Sequence, residues 1–160
     1  MRIIAFSDSH RHAKNVRQLF EQTYLTTDLY IFLGDGEGDL DEILNIYPDR
    51  RILISAGNCD YCSKDPQIGI TEVCGKRIVY CHGHMQHVGF GLSGLMKLAD
   101  DNDADIVLFG HTHERRCDYI NGVYYINPGS LGQPRDCLPP SYAAIDIIPA
   151  GILCTHAELE

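Results

Sequence analysis

Five short apolar segments of this sequence each end in a cluster of polar residues, and this pattern limits the folds open to the chain. The clusters are Asp8-Ser9-His10, Gly34-Asp35, Gly57-Asn58-Cys59-Asp60, His82-Gly83-His84 and Gly110-His111-Thr112-His113. Short apolar runs bounded by such residues are typical of buried strands. In an open α/β sheet, ligands bind at the carboxyl ends of the strands. We therefore expect the five clusters to converge on one site.

Strands and helices alternate early in the chain, and hairpins follow later. The apolar pattern predicts strands at 2–7, 28–33, 51–56 and 105–109, and helices at 12–24, 40–47 and 90–101. Hairpins are predicted for 68–73 with 77–81, for 116–120 with 123–126 across Asn121-Gly122, and for 142–148 with 152–156. This order favours an α/β sandwich with mixed sheets over a purely parallel, doubly wound sheet.

The composition indicates one globular domain, which we place at residues 1–160. Hydrophobic residues make up 44% of the chain and charged residues 22%. The net charge of -9, with no basic patch, argues against a long nucleic acid as partner. Neither a signal peptide nor a run of roughly 18 apolar residues is visible, so no membrane partner is expected. Seven cysteines without a disulfide spacing predict reduced thiols and a cytoplasmic protein.

Seven side chains in the clusters are candidate metal ligands: Asp8, His10, Asp35, Asn58, His82, His111 and His113. Four imidazoles, two carboxylates and one amide oxygen are too many for one tetrahedral ion and suit two ions that share a carboxylate. The Asp8–His10 and His111–His113 pairs are each two residues apart, so in extended chain their members point the same way. Turn chemistry or simple exposure explains any one cluster equally well, but five in this order favour a metal centre.

The order Asp-x-His, Gly-Asp, Gly-Asn-x-Asp, His-Gly-His, Gly-His-x-His resembles that of the calcineurin-like metallophosphoesterases. The later Asn127-Pro128-Gly129-Ser130 is similar to the small bacterial and archaeal phosphodiesterase branch, and the resemblance runs from Arg2 to about Arg135. It implies a four-layer αββα sandwich of two mixed β-sheets flanked by helices. It also implies two ligand sets that share Asp35 as a bridge: Asp8, His10, Asp35 and His113 for one metal, and Asp35, Asn58, His82 and His111 for the other.

The implied activity is hydrolysis of small phosphodiesters, in which a hydroxide that bridges two divalent cations attacks phosphorus in line. We take Asp35, Asn58 and His84 as catalytic residues. His84 lies two residues after His82 and can face the same side, although simple exposure at a loop is the alternative. Imidazole and oxygen ligands without a thiolate suit Mn first, with Ni, Co, Fe or Zn as alternatives. The expected partner is a small phosphate ester, and homo-oligomerisation is left open.

One position departs from the family pattern, and several alternatives stay open. Many members carry a histidine after the ligand Asn, thought to protonate the leaving group or contact the phosphate, where this chain has Cys59. A phosphomonoesterase, and a non-catalytic metal-binding scaffold resembling the retromer subunit, are the two competing functions. A redox or zinc module at Cys59 and Cys62 is the remaining alternative, but a zinc site would need a second CxxC or a Cys/His pair at suitable spacing, and none appears. Arg135 is a further candidate for a phosphate contact.

Overall fold

The structure, a computed structural model, describes residues 1–159 and contains two five-stranded β-sheets. The first sheet has the order β10-β9-β1-β2-β3, formed by β1 (Arg2–Phe6), β2 (Leu29–Phe32), β3 (Ile52–Ile54), β9 (Ser141–Ile148) and β10 (Gly151–Glu158). The second has the order β4-β5-β6-β8-β7, formed by β4 (Ile68–Val73), β5 (Lys76–Cys81), β6 (Ile106–Leu108), β7 (Arg115–Ile120) and β8 (Val123–Pro128). Both are mixed, because β1, β2 and β3 run parallel, as do β5, β6 and β8, beside antiparallel neighbours.

The two sheets pack face to face, and helices cover their outer faces. In β1, Ile3 and Ala5 pack into the core between the sheets, whereas Ile4 and Phe6 pack beneath α1 (Ala13–Thr23) and α2 (Asp41–Ile46). A strand buried on both faces is apolar throughout, which explains the unbroken apolar run of the sequence. The third helix, α3 (Ser93–Asp101), packs on the outer face of the second sheet. The predicted four-layer αββα sandwich is confirmed.

Loops from both sheets meet at one edge of the sandwich. The Asp8 amide donates a hydrogen bond to the carbonyl of Gly34, which joins the loops after β1 and β2. The Gly110 amide donates to the carbonyl of His82, which joins the loops after β5 and β6. Across the two sheets, the His82 ring donates from Nδ1 to the carbonyl of Leu33 at 2.7 Å. The polar clusters of the sequence therefore share one edge of the fold.

The third helix begins later than predicted. The sequence pattern placed its start at Phe90, but the helix begins at Ser93. The preceding residues form two short 3-10 turns, His84–Gln86 and Val88–Phe90, and Gly91 then has a φ of 130° that a helix cannot contain. Within residues 1–159, no helix has the length and apolar character needed to cross a membrane.

Candidate metal centre

At this edge, Asp8, His10 and His113 form one group of candidate ligands. His113 Nε2 lies 3.2 Å from Asp8 Oδ1 and 3.1 Å from His10 Nε2. The ligand atoms of all three residues lie within 4.8 Å of one another. Asp35 adjoins this group, with its Oδ2 3.8 Å from His10 Nε2.

A second group is centred on His82. Its Nε2 lies 3.0 Å from Asn58 Oδ1 and 3.3 Å from His111 Nδ1. The same Asp35 Oδ2 that faces His10 lies 3.5 Å from His82 Nε2. All seven predicted ligands therefore belong to one connected cluster, and a single carboxylate oxygen of Asp35 lies between its two halves.

The donor atoms of this cluster fit divalent cations. His82 and His113 each donate from Nδ1 to a backbone carbonyl, of Leu33 and Gln133 respectively, at 2.7 Å. Each Nε2 is then left with a lone pair; that of His82 faces Asn58 Oδ1 at 3.0 Å and that of His113 faces Asp8 Oδ1 at 3.2 Å. Asp8 Oδ1 is buried and accepts no hydrogen bond in residues 1–159. Cations would satisfy all of these atoms, and the carbonyl contacts orient the rings for that role.

The ligands reach this arrangement through unusual backbone conformations. Positive φ angles occur at five of the seven, namely Asp8, His10, Asp35, His111 and His113. We predicted that Asp8 and His10 lie in extended chain, and likewise His111 and His113. That prediction was wrong, because these residues lie in tight left-handed turns. Non-glycine residues in this region cost roughly 1–3 kcal/mol each and persist only where surrounding contacts impose them.

Asp60 supplies many of those contacts. Its two carboxylate oxygens accept hydrogen bonds from four backbone amides, those of Asp35, Gly36, Glu37 and Gly57, at 2.8–3.0 Å. This one side chain therefore fixes the turn that carries the shared carboxylate. Sequence reasoning left Asp60 out of the site, although its place two residues after Asn58 in the third cluster was a usable signal.

Asp60→Asn should lower metal affinity and activity by about 10–100-fold, the usual effect of removing an outer partner of a metal ligand. The amide keeps one acceptor oxygen but turns an NH₂ group toward two of the four backbone amides. Metal affinity and kcat/KM measure the effect. Asp49→Asn, which removes an exposed charge far from the cluster, is the matched control. Equal behaviour of the two variants would refute the supporting role.

The end of β8 and the turn that follows it, residues 127–130, hold the loops of the candidate centre in place. Ser130 Oγ donates to the carbonyl of Asp8 at 2.7 Å, and Asn127 Nδ2 donates to the carbonyl of Gly110 at 2.9 Å. Both side chains are fully buried. The segment therefore holds the loops that carry Asp8 and His111, and its polar side chains do not face a substrate.

Burial and neighbouring charges together shift the pKa values of Asp35, His82 and His111. Burial alone would raise the pKa of Asp35, but hydrogen bonding with His82 and the charge of that ring hold it well below the usual 3.8. Burial alone would lower the pKa of His82, but the hydrogen bond to Asp35 and the charge of Asp8 raise it above 6.5. Burial, together with the charge of His82, lowers the pKa of His111.

Metal binding should weaken as the pH falls, because the ligating imidazoles must be neutral. The pKa of His82 is raised and that of His111 is lowered, so a proton competes with metal for His82 at a higher pH than for His111. With four imidazoles involved, the loss should be steep and cooperative below about pH 6. Metal content and activity measured from pH 8 to pH 5 test this expectation. Both ions still bound at pH 5, with an unchanged rate, would contradict the ligand set.

His84 lies beside the second group, as predicted from its spacing. Its ring centroid is 5.4 Å from that of His82 and 6.2 Å from that of His111, and its Nδ1 is buried without a partner in the described chain. Burial and the charge of His82 lower the pKa of His84. A lowered pKa favours the neutral ring, which suits a hydrogen bond to substrate better than the role of a proton donor.

Cys59 belongs to the site through its backbone as well as its thiol. Its amide donates to Asp35 Oδ1 at 2.7 Å, and its Sγ lies within 4.8 Å of ligand atoms of His10 and Asp35. Burial and the carboxylate of Asp35 raise the pKa of the Cys59 thiol to about 11. A reactive redox cysteine requires a lowered pKa instead.

Two cavities adjoin the cluster. One, of about 520 Å³, is lined in part by His10, Asp35 and Arg11. The other, of about 390 Å³, is lined in part by His111 and Arg135. Each half of the ligand cluster therefore faces a space large enough for part of a small molecule.

Facing mixed sheets with a buried histidine–carboxylate cluster at the ends of their strands define an α/β protein with a candidate metal centre. Residues 1–148 match the calcineurin-like phosphoesterase superfamily domain, and the chain belongs to that superfamily. It is 27% identical over 148 residues to the probable metallophosphoesterase YsnB of Bacillus subtilis, covering 92% of this chain and 85% of YsnB. It is 32% identical over 71 residues to the phosphodiesterase YfcE of Escherichia coli, covering 44% of this chain and 35% of YfcE.

Solved structures show the same fold. A predicted phosphoesterase from Streptococcus pneumoniae superposes with a TM-score of 0.80 at 25% identity, covering 98% of this chain and 97% of that one. Vps29 from Entamoeba histolytica, in complex with Zn²⁺, superposes with a TM-score of 0.75 at 20% identity over the full length of both chains. The second likeness concerns the fold alone.

Proposed function

We propose that this protein is a dinuclear-metal phosphodiesterase that hydrolyses small phosphodiesters. The observation that carries the proposal is the position of Asp35, whose Oδ2 lies between His10 on one side and His82 on the other. Two ligand groups joined by one carboxylate oxygen are what a pair of cations requires. Bound there, two divalent cations lower the pKa of water and neutralise the charge that develops on a phosphate ester.

The side chains around the centre have separate tasks. Asp35 holds the two halves of the cluster together, and its other oxygen is fixed by the Cys59 amide. Asn58 adds a neutral oxygen beside His82, which leaves the centre more positive than a third carboxylate would. His84, whose ring lies 5.4 Å from that of His82 and 6.2 Å from that of His111, is assigned a contact with a phosphate oxygen. We assign Mn as the preferred ion, with Ni, Co, Fe or Zn as alternatives, because oxygen and imidazole ligands suit these metals.

Two features favour a diester over a monoester. A diester has two arms, and a separate cavity adjoins each half of the centre. A relative that matches part of this chain is named a phosphodiesterase. The non-catalytic scaffold is the second candidate, since the chain shares its fold with Vps29. All seven candidate ligands are present and belong to one connected cluster, which favours catalysis.

A screen of esters against metals tests the proposal. The protein, reconstituted with Mn, Ni, Co, Fe or Zn, is offered bis(p-nitrophenyl) phosphate as diester and p-nitrophenyl phosphate as monoester. We expect hydrolysis of the diester to be faster with at least one metal. Metal analysis runs in parallel, since fewer than one ion per chain after reconstitution would favour the scaffold.

The presence of Cys59 predicts that the rate of hydrolysis depends strongly on the leaving group. A thiol with a pKa raised to about 11 is a weak acid, and nearby cations would remove its proton, so in neither case does it protonate a leaving group well. Activated aryl diesters should therefore react much faster than alkyl ones. Cys59→His should raise the alkyl rate about tenfold, less than the 10²–10⁴-fold of an optimised general acid. An unchanged ratio of aryl to alkyl rates would show that the missing acid is not limiting. His84→Ala should lower alkyl rates selectively if His84 is the donor.

A further inference from the structure

The two most exposed aromatic side chains of the described chain both belong to segments that line the cavities beside the candidate metal centre. Tyr61 is 90% exposed and lines the cavity that adjoins His10. Phe90 is 97% exposed and lies between Gly89 and Gly91, both of which line the cavity that adjoins His111. Single exposed aromatics are common on protein surfaces. An exposed aromatic side chain beside each of two cavities that flank the same centre suits a ligand with two planar groups, here called its arms.

Each cavity also contains an arginine without an acidic partner. Arg11 lines the first cavity and Arg135 the second, and in residues 1–159 neither guanidinium forms an ion pair. By contrast, Arg115 of the second cavity pairs with Asp136 and Glu158. An unpaired guanidinium binds phosphate oxygens and also stacks on planar rings.

Acidic residues limit the length of the ligand. Asp39 and Asp60 line the first cavity and Glu114 lines the second, and the chain as a whole has a net charge of -9. Further phosphates beyond the centre would meet these carboxylates. The cavities therefore suit two ring-bearing arms joined by a single phosphate.

We propose that the substrate is a dinucleoside phosphodiester, two nucleosides joined by one phosphate, whose bases stack on Tyr61 and Phe90. This inference rests on the proposed function. In the reaction, the oxygen of water forms a new bond to phosphorus while the bond from phosphorus to one nucleoside oxygen breaks. That oxygen takes up a proton, and the products are one nucleoside and one nucleoside monophosphate.

Competitive inhibition by two diesters of equal charge tests the substrate class. Thymidylyl-(3′→5′)-thymidine has two bases, and dimethyl phosphate has none. With bis(p-nitrophenyl) phosphate as reporter, the dinucleoside should have a Ki at least about tenfold lower, because each base stacked on an aromatic side chain strengthens binding by about that factor or more. Chromatography should show thymidine and thymidine monophosphate as its products.

Variants that remove the aromatic ring of Tyr61 or Phe90 test where the two bases bind. Tyr61→Leu and Phe90→Leu should each raise the Ki of the dinucleoside about tenfold, and the Ki of dimethyl phosphate should change by less than about twofold. Tyr61→Phe and Phe90→Tyr keep the ring and should keep the low Ki. Tyr119→Leu is the matched control, because Tyr119 is 64% exposed on β7 and neither it nor its two chain neighbours line a cavity beside the centre.

The outcomes separate this inference from the proposed function. A dinucleoside Ki no lower than that of dimethyl phosphate overturns the substrate class, while hydrolysis of the reporter leaves the phosphodiesterase intact. An effect of only one ring variant overturns the two-arm arrangement. If no metal supports hydrolysis of the reporter, the proposed function fails, and calorimetry on the metal-loaded protein then measures dinucleoside binding directly. Binding that depends on both rings would support the site even then.

Discussion

Asp35→Asn should reduce kcat/KM by more than about 100-fold, beyond the 10–100-fold expected for the outer partners of a metal ligand. The asparagine is nearly the same size but neutral, and Asp35 Oδ2 lies between the two halves of the cluster, 3.8 Å from His10 Nε2 and 3.5 Å from His82 Nε2. Loss of this charge therefore weakens both metal positions together. Asp8→Asn alters chiefly the first group and should leave more bound metal.

Elemental analysis alongside kinetics distinguishes these effects. We expect less than about one ion per chain for Asp35→Asn and a higher content for Asp8→Asn under the same conditions. Asp41→Asn, which removes an exposed carboxylate at the start of α2, is the matched control and should behave as the parent protein. If Asp35→Asn kept two ions and a normal rate, Asp35 would not be the bridge.

The sequence predicted the location of the site better than its local geometry. Each candidate ligand follows an apolar strand, and the order of the strands alone brings such positions to one edge. All seven candidates could therefore be identified from the sequence. The left-handed turns at Asp8, His10 and Asp35 could not be predicted, because aspartate and histidine favour no single backbone conformation and these turns are imposed by distant contacts. Asp60 imposes one of them from 25 residues along the chain.

In the fold, too, the location of the strands and helices was easier to predict than the residues at which they begin. Strands buried on both faces, such as β1, have a continuous apolar run that composition alone reveals. The start of α3 was placed three residues early, since Phe90 continues the apolar periodicity while Gly91 breaks it. The exposed position of Phe90 follows from that glycine-flanked turn and not from the hydrophobicity of the residue. Periodicity therefore located the elements, and individual glycines decided where they begin.

Removal of metal should abolish activity and lower the melting temperature together. Buried Asp8 Oδ1 has no hydrogen-bond donor in residues 1–159, and the Nε2 lone pair of His113 faces it at 3.2 Å, so the two atoms repel unless a cation lies between them. An ion at 100-fold above its Kd stabilises a folded chain by about 2.7 kcal/mol. For a domain of this size each kcal/mol corresponds to about 2–4 °C. Two ions should therefore raise the melting temperature by about 10–20 °C.

Thermal unfolding after chelation and dialysis, and again after Mn²⁺ is restored, measures this shift. Asp41→Asn should show the full shift, whereas Asp35→Asn should lose most of it, because the same carboxylate serves both ions. Activity should return with the melting temperature as metal is added, since both depend on occupancy of the same cluster. Full activity after exhaustive chelation would refute the metal mechanism. A melting temperature that is the same with and without metal would instead mean that the protein's own contacts hold the cluster in place.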